Sequence, residues 1–342
     1  MRTWIINLFI ISSFFLLLGC SEQERTTEET FQNPVYEPVL ADPSIIRADD
    51  GYFYAYGTED AWDDVSKPVL IPIVRSKDLV DWEYVGPAFE EKPTWKGAGS
   101  LWAPDIQKVG DTYYLYYSLS IWGDANPGIG VATSESPTGP FEDKGKLFTS
   151  EEIGVQNSID PFYYQTENES SYLFWGSFHG IYGVRLTDDG LAVDGEKFQI
   201  AGNAFEAPYI IKRDGYYYFF GSTGSCCDGE NSTYQVTVGR AEQLEGPYVD
   251  KEGNDLRNSS GTVILSKQND GAIVGPGHNA IITDDHGDDW IVYHGIHRED
   301  PTLWTGATRR PLFIDRFKWE DGWPYVEGNQ PNTAEQQAPI IE

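Results

Sequence analysis

Trp102-Ala103-Pro104-Asp105-Ile106, followed by Gly110-Asp111-Thr112-Tyr113-Tyr114, decides the fold. Proline cannot donate to a sheet ladder and belongs at a strand start or a bulge, while Gly-Asp makes a tight turn. The aromatic run after the turn suits a pleated surface, so the stretch reads as a β-hairpin. The phrase returns four times. Asp42-Pro43-Ser44-Ile45 leads to Asp50-Gly51-Tyr52-Phe53-Tyr54, and Asp160-Pro161-Phe162-Tyr163 leads to Tyr172-Leu173-Phe174-Trp175. Glu206-Ala207-Pro208-Tyr209-Ile210 leads to Asp214-Gly215-Tyr216-Tyr217-Tyr218. His278-Asn279-Ala280-Ile281 leads to Gly287-Asp288-Asp289-Trp290-Ile291-Val292-Tyr293, with Asn279 in the proline place.

Between these markers the chain supplies outer strands, expected from Ile73-Val74-Arg75-Ser76 to Trp82, from Gly130-Val131-Ala132-Thr133 to Phe141, and from Val238-Gly239-Arg240 to Tyr248. Each interval has room for about four short strands. Five similar units at irregular spacing argue for radial repetition, which protects sheet edges. The expected fold is all-β, a single five-bladed β-propeller of four-stranded antiparallel blades over residues 37–330. Two β-sandwiches in tandem are the other arrangement, but no linker-like stretch divides that span.

Composition agrees. Aromatics make up 14% of the 342 residues, Gly and Pro are abundant, and Cys and Met are sparse, a profile that fits neither disorder nor a helical bundle. Lys and Arg number 24 against 54 Asp and Glu, for a net charge of −30. A polyanion repels phosphate backbones, which excludes nucleic acid as a partner. It also makes a neutral glycan a better substrate than a polyanionic one, because like charges slow encounter.

The N-terminus reads as an address. Met1 and Arg2 precede an apolar run from Trp4 to Leu18, too short for a comfortable membrane span, and Leu17-Leu18-Gly19-Cys20 resembles a bacterial lipobox. That resemblance implies a lipoprotein signal peptide over residues 1–20, acylation of Cys20 as the sole membrane attachment, and a bacterial protein at the outer membrane, in the periplasm or on the cell surface. Residues 21–36 read as a flexible tether and 331–342 as a C-terminal tail. The sequons at Asn168, Asn231 and Asn258 carry little meaning in a bacterium.

In a propeller, equivalent ends of the inner strands face one another around the axis. The residues immediately before the five markers are Asp42, Ala103, Asp160, Ala207 and His278, preceded at two places by Trp102 and Glu206. Symmetry alone brings three carboxylates, an imidazole and an indole to one mouth. At any single copy Asp before Pro is an ordinary turn former; three carboxylates with an imidazole exceed what strand starts require.

These residues resemble glycoside hydrolase family 43, five-bladed propeller enzymes that release arabinose or xylose units from plant polysaccharides. The resemblance rests on Ala41-Asp42-Pro43-Ser44, Trp102-Ala103-Pro104-Asp105, Ser158-Ile159-Asp160-Pro161, Glu206-Ala207-Pro208 and Gly277-His278-Asn279. It implies Asp42 as general base, Glu206 as general acid, and Asp160 as the residue that orients the acid and raises its pKa. Glycoside cleavage passes through an oxocarbenium-like state in which the leaving oxygen needs a proton while a nucleophile approaches the anomeric carbon. The family inverts, so a base-to-acid separation of about 6.5–9.5 Å, with room for water, is expected. Members that cleave arabinan hold a calcium ion, largely through waters, beside the residue matching His278, and no organic cofactor is implied.

Substrate contacts are expected from Trp102 at the mouth, from Phe205 and from Arg310. Trp62, Trp95 and Trp122 are further candidate sugar platforms, and Arg298 is a second candidate cation; Tyr113-Tyr114-Leu115-Tyr116-Tyr117 reads as blade packing. The stretch from Ser225-Cys226-Cys227 to Arg240, with Arg310–Asp315 and Trp319–Pro324, resembles the family's arabinan α-1,5-arabinanases. Tyr293–Asp300 departs from the tyrosine-rich version found in endo-acting members. Cys226 and Cys227 read either as a vicinal disulfide or as two thiols. The resulting expectation is an enzyme cleaving arabinan, or arabinoxylan, at arabinosidic bonds. A β-xylosidase or α-L-arabinofuranosidase would share its carboxylates, and a noncatalytic surface glycan-binding lipoprotein would share its fold.

Overall fold

The computed structural model describes residue 1, residues 29–62 and residues 67–342. The signal segment and Cys20 lie outside the described residues. Among those described, twenty strands form five four-stranded sheets, each antiparallel with its strands in sequence order. Blade I comprises Ser44–Arg47, Phe53–Tyr56, Pro72–Ser76 and Trp82–Pro87. Blade II comprises Ser100–Val109, Thr112–Ser120, Gly128–Ser134 and Glu142–Thr149, and blade III Phe162–Gln165, Ser171–Trp175, Ile181–Arg185 and Phe198–Ala201. Blade IV comprises Glu206–Arg213, Tyr216–Thr223, Gln235–Ala241 and Thr262–Leu265. Blade V comprises Ile273–Thr283, Asp289–His297, Leu312–Glu320 and Trp323–Val326. Inner strands of successive blades touch, and the inner strand of blade V returns to that of blade I, so the five sheets close a ring.

The five repeated phrases are the first hairpins of the five blades. One outer strand differs from expectation. In blade IV the chain leaving Tyr248 makes only isolated bridges, Val249 to Arg240 and to Asp255, and the edge strand forms later at Thr262–Leu265. The tyrosine run packs as expected: Tyr113, Tyr116 and Tyr117 are buried, and Tyr116 stacks across the blade boundary on Tyr163 at 5.5 Å between centroids. Phe162 on blade III meets Tyr209 on blade IV at 4.6 Å, with the rings tilted. These ring pairs fill the wedges between blades with large apolar area.

Residues 29–36 are not free chain. Thr30–Phe31 pairs with Gln336–Gln337 of the C-terminal segment, and Phe31 is buried in the core beside Trp290. The reason lies in blade V, whose edge strand Trp323–Val326 covers only Phe317–Glu320 of its neighbour. Leu312–Ile314 is left with an open ladder, and the N-terminal segment fills it. Val35 N–H donates to Leu312 O, Leu312 N–H to Tyr36 O, and Leu40 N–H to Arg310 O. The buried Asn33 amide completes the seam: Nδ2 donates to Ile314 O at 2.7 Å and Oδ1 accepts from Ile314 N–H at 2.9 Å. Asn33→Ala leaves both backbone groups unpaired and is expected to cost about 1–3 kcal/mol. That should appear as a lower denaturant midpoint at unchanged slope; an unaltered midpoint would show that the seam is not held there.

Candidate active site

The five mouth positions share one backbone geometry. Asp42, Ala103, Asp160, Ala207 and His278 have φ of 54°, 44°, 60°, 54° and 51°, in the left-handed region that side-chain-bearing residues avoid. In blades II, IV and V the ladder also slips there, between Trp102 and Asp105, Glu206 and Tyr209, and Gly277 and Ala280. Such a bulge re-aims side chains. Two kinds of corner result. At Asp42, Asp160 and His278 the corner residue itself carries the polar group; at Ala103 and Ala207 the corner is a methyl, and the preceding Trp102 and Glu206 supply it. All of them except Ala207 line one cavity of about 850 Å³.

Asp42 is held as an anion. Its Oδ1 accepts from Arg310 Nη1 at 2.7 Å and lies 3.3 Å from Nδ1 of both His278 and His294, while Oδ2 accepts from the Thr58 hydroxyl at 2.6 Å. Burial opposes ionisation, but Arg310 and His278 outweigh it and hold the carboxyl well below its usual range. His294 is fully buried; its Nδ1 accepts the Asp42 N–H at 3.1 Å, and burial pushes its pKa down to about 4, so it is a neutral prop. His278 goes the other way. Burial disfavours its cation, but Asp42, Asp160 and Glu206 around it prevail and raise its pKa.

Glu206 and Asp160 form the opposite environment. Burial raises the pKa of Glu206; the Tyr234 and Ser177 hydroxyls and His278 moderate the rise, and the Asp42 charge adds to it. Ser177 Oγ donates to its Oε2 at 2.7 Å. Asp160 is likewise raised by burial, moderated by His278, and raised further by the charges of Glu206 and Asp42. Its Oδ2 accepts the Ala207 N–H at 3.3 Å, the residue after Glu206, which ties the two carboxyls together. Two buried carboxyls this closely coupled hold a proton between them near neutral pH. The cavity therefore presents a fixed anion on blade I and a proton-bearing pair on blades III and IV.

The other predicted contacts divide. Trp102 and the exposed Trp122 line the cavity, as does Arg310, which is committed to Asp42. Phe205 is a correction: it is wholly buried, packing edge-on against Phe219 at 5.4 Å, because its side chain points into the blade rather than the mouth. Trp62 is core and Trp95 donates to the Tyr117 hydroxyl, so neither is a platform. Arg298 lines a separate pocket with Lys267 and Ser232. Cys226 and Cys227 are joined as a vicinal disulfide on the cavity wall, with Thr308 Oγ1 of the blade V loop donating to Cys227 O at 3.0 Å. Thr58, Glu59, Asp60, Ser177 and His294 were not singled out in the sequence. Thr58, Glu59 and Asp60 lie just beyond the second strand of blade I, which ends at Tyr56, and that shared position was the signal available.

Among the described residues no group of three or more His, Cys, Asp or Glu could hold a metal directly, and His278 turns Nδ1 to Asp42, so a calcium ion beside it would be held through waters, as the family resemblance implies.

The match to known proteins follows this geometry. The model of glycosyl hydrolases family 43 matches residues 31–324. An extracellular exo-α-(1→5)-L-arabinofuranosidase of Cellvibrio japonicus is 34% identical over 78% of this chain and 83% of its own length. An extracellular endo-α-(1→5)-L-arabinanase of Bacillus subtilis is 32% identical over 84% and 87%. Among solved structures, Cellvibrio cellulosa α-L-arabinanase complexed with arabinohexaose superimposes with a TM-score of 0.74 at 31% identity, covering 86% of this chain and 97% of that one. The chain is a glycoside hydrolase and belongs to glycosyl hydrolase family 43.

Proposed function

We propose that the protein cleaves α-1,5-L-arabinosidic bonds of arabinan by inversion, with Asp42 as general base, Glu206 as general acid and Asp160 as the group that orients the acid and keeps it protonated. The observation that carries this reading is the electrostatic split within one cavity. Asp42 is held in its ionised form, able to take a proton from water and to face a developing oxocarbenium charge, while burial favours the protonated form of Glu206, the form the leaving oxygen needs. Separate environments support the two roles. The likeness to arabinan-acting relatives supports arabinose at the reacting position, and Trp102 and Trp122 offer ring faces along the cavity. A noncatalytic glycan-binding role is not favoured, because the cavity keeps both the ionised and the protonated carboxyl.

Export fits Met1–Leu18 and the extracellular relatives, and the lipobox makes Cys20 the attachment point. Cys20→Ala should move the enzyme from the membrane fraction to a soluble one; unchanged fractionation would end the anchor.

Three kinetic outcomes are expected. Glu206→Gln should lower kcat on debranched arabinan by about 10²–10⁴-fold, and unaltered turnover would refute the acid assignment. The Asp42 pKa is depressed, so the wild-type acid limb of kcat/KM lies below the ordinary carboxylate value of 3.8. Arg310→Gln removes the nearest cation, and the limb should move to higher pH. Glu206 and Asp160 repel one another when both are ionised, so Asp160→Asn should lower the Glu206 pKa and shift the alkaline limb to lower pH. Limbs that stay in place in both variants would separate these residues from the reaction. Product analysis of debranched arabinan fixes the cut: a ladder of oligosaccharides means internal cleavage, monosaccharide alone means cleavage from an end.

A further inference from the structure

Tyr234 is the member of the Ser225–Arg240 stretch whose hydroxyl reaches toward the general acid. It precedes the third strand of blade IV and is 1% exposed. Its ring stacks on His294 with centroids 5.7 Å apart and planes 9° from parallel. Gly277, opposite His294 in the ladder, makes the space: a Cβ there would stand 2.1 Å from Tyr234 Cδ1. The ring is thus fixed by the imidazole that supports Asp42 and by the bare backbone before His278. Its hydroxyl is buried without a well-formed hydrogen bond, within reach of the Glu206 carboxyl and the Ser222 hydroxyl and beside the charge of Asp160. Buried hydroxyls are normally paired. Here a rigidly seated donor waits next to a carboxyl that must become an anion during turnover.

We infer that Tyr234 is a positioning residue for the general acid, its hydroxyl donating to the Glu206 carboxylate as that group gives up its proton. The inference rests on the acid assignment made above. The proton passes from Glu206 to the glycosidic oxygen, the bond from that oxygen to the anomeric carbon breaks, and the water attacking that carbon gives its proton to Asp42. Tyr234 keeps its own proton, since burial and the two carboxyls raise its pKa well above that of an ordinary phenol. The groups facing Glu206 come from every surrounding blade: Asp42 from blade I, Asp160 and Ser177 from blade III, Tyr234 from blade IV and His278 from blade V. Of these, Ser177 already donates to Oε2, and Tyr234 is the second hydroxyl within reach.

The test compares wild type with Tyr234→Phe, which keeps the stacked ring and removes the donor. A donor to the ionised form lowers a carboxyl's pKa, so its loss should move the alkaline limb of kcat/KM upward by about one pH unit. The kcat on arabinan should fall by about 10- to 100-fold, the value of a hydrogen bond to a charged group. It should fall at least about tenfold more than on 4-nitrophenyl α-L-arabinofuranoside, whose leaving group needs little protonation. A purely structural ring would leave the limb in place and lower both activities together, which would overturn the inference. If the phenylalanine variant melts early, 3,5-difluorotyrosine at position 234 retains the ring and strengthens the donor. The alkaline limb should then move down, and a limb that does not move overturns the inference equally. Wild type inactive on arabinan would instead refute the substrate reading, a result read before any variant is compared.

Discussion

Asp42 and Arg310 lie 268 residues apart in the chain and meet at 2.7 Å only because blade V closes onto blade I. Ring closure is the constraint from which the rest follows. The backbone bond from Leu40 to Arg310 runs beside the side-chain bond from Arg310 to Asp42, so the seam that shuts the propeller also seats the cation that keeps Asp42 ionised. His278 and His294 belong to the same closing blade. A loosened seam would withdraw all three positive or polar partners from one carboxylate and leave it buried without compensation, the expensive way to hold a charge.

Across the mouth the fold does the reverse. Glu206 and Asp160 arrive on neighbouring blades with hydroxyls and one shared imidazole for company, and burial then favours their neutral forms. The same chain thus makes one carboxyl a strong acid and another a weak one, within one cavity and without any difference in residue chemistry beyond a methylene. The excess of negative charge over the whole molecule contributes little to this contrast; exposed charges are screened within about 10 Å, whereas the partners that matter are in contact.

Much of this was legible because the fold repeats. Five copies of one phrase gave the blades, and the residue before each marker gave the corners, since identical backbone geometry must place those residues equivalently. What escaped had no repeat to mark it. The fourth strand of blade IV begins well after Tyr248 because an inserted loop pairs with itself first. Residues 29–36 look polar enough to be a tether, yet an unfilled ladder on Leu312–Ile314 gives them a place. Phe205 sits next to Glu206 in sequence, but it stands just before the inner strand and is drawn into the core against Phe219. His294 and Asp105 are found only by pairing between blades: Asp105 accepts from Ser44 of blade I at 3.1 Å and from Tyr163 N–H of blade III at 2.7 Å, and burial lifts its pKa to about 7.

The pairing of Thr30–Phe31 with Gln336–Gln337 brings the two ends of the folded body side by side. Chains whose ends adjoin tolerate being rejoined there and opened elsewhere. Each blade is continuous in sequence, so an opening between blades would sever no sheet. The covalent starting point of this ring is thus arbitrary with respect to its chemistry: a circular permutant beginning at any blade would still present Asp42, Asp160, Glu206 and His278 to the same axis, and only the order in which the corners emerge during synthesis would change.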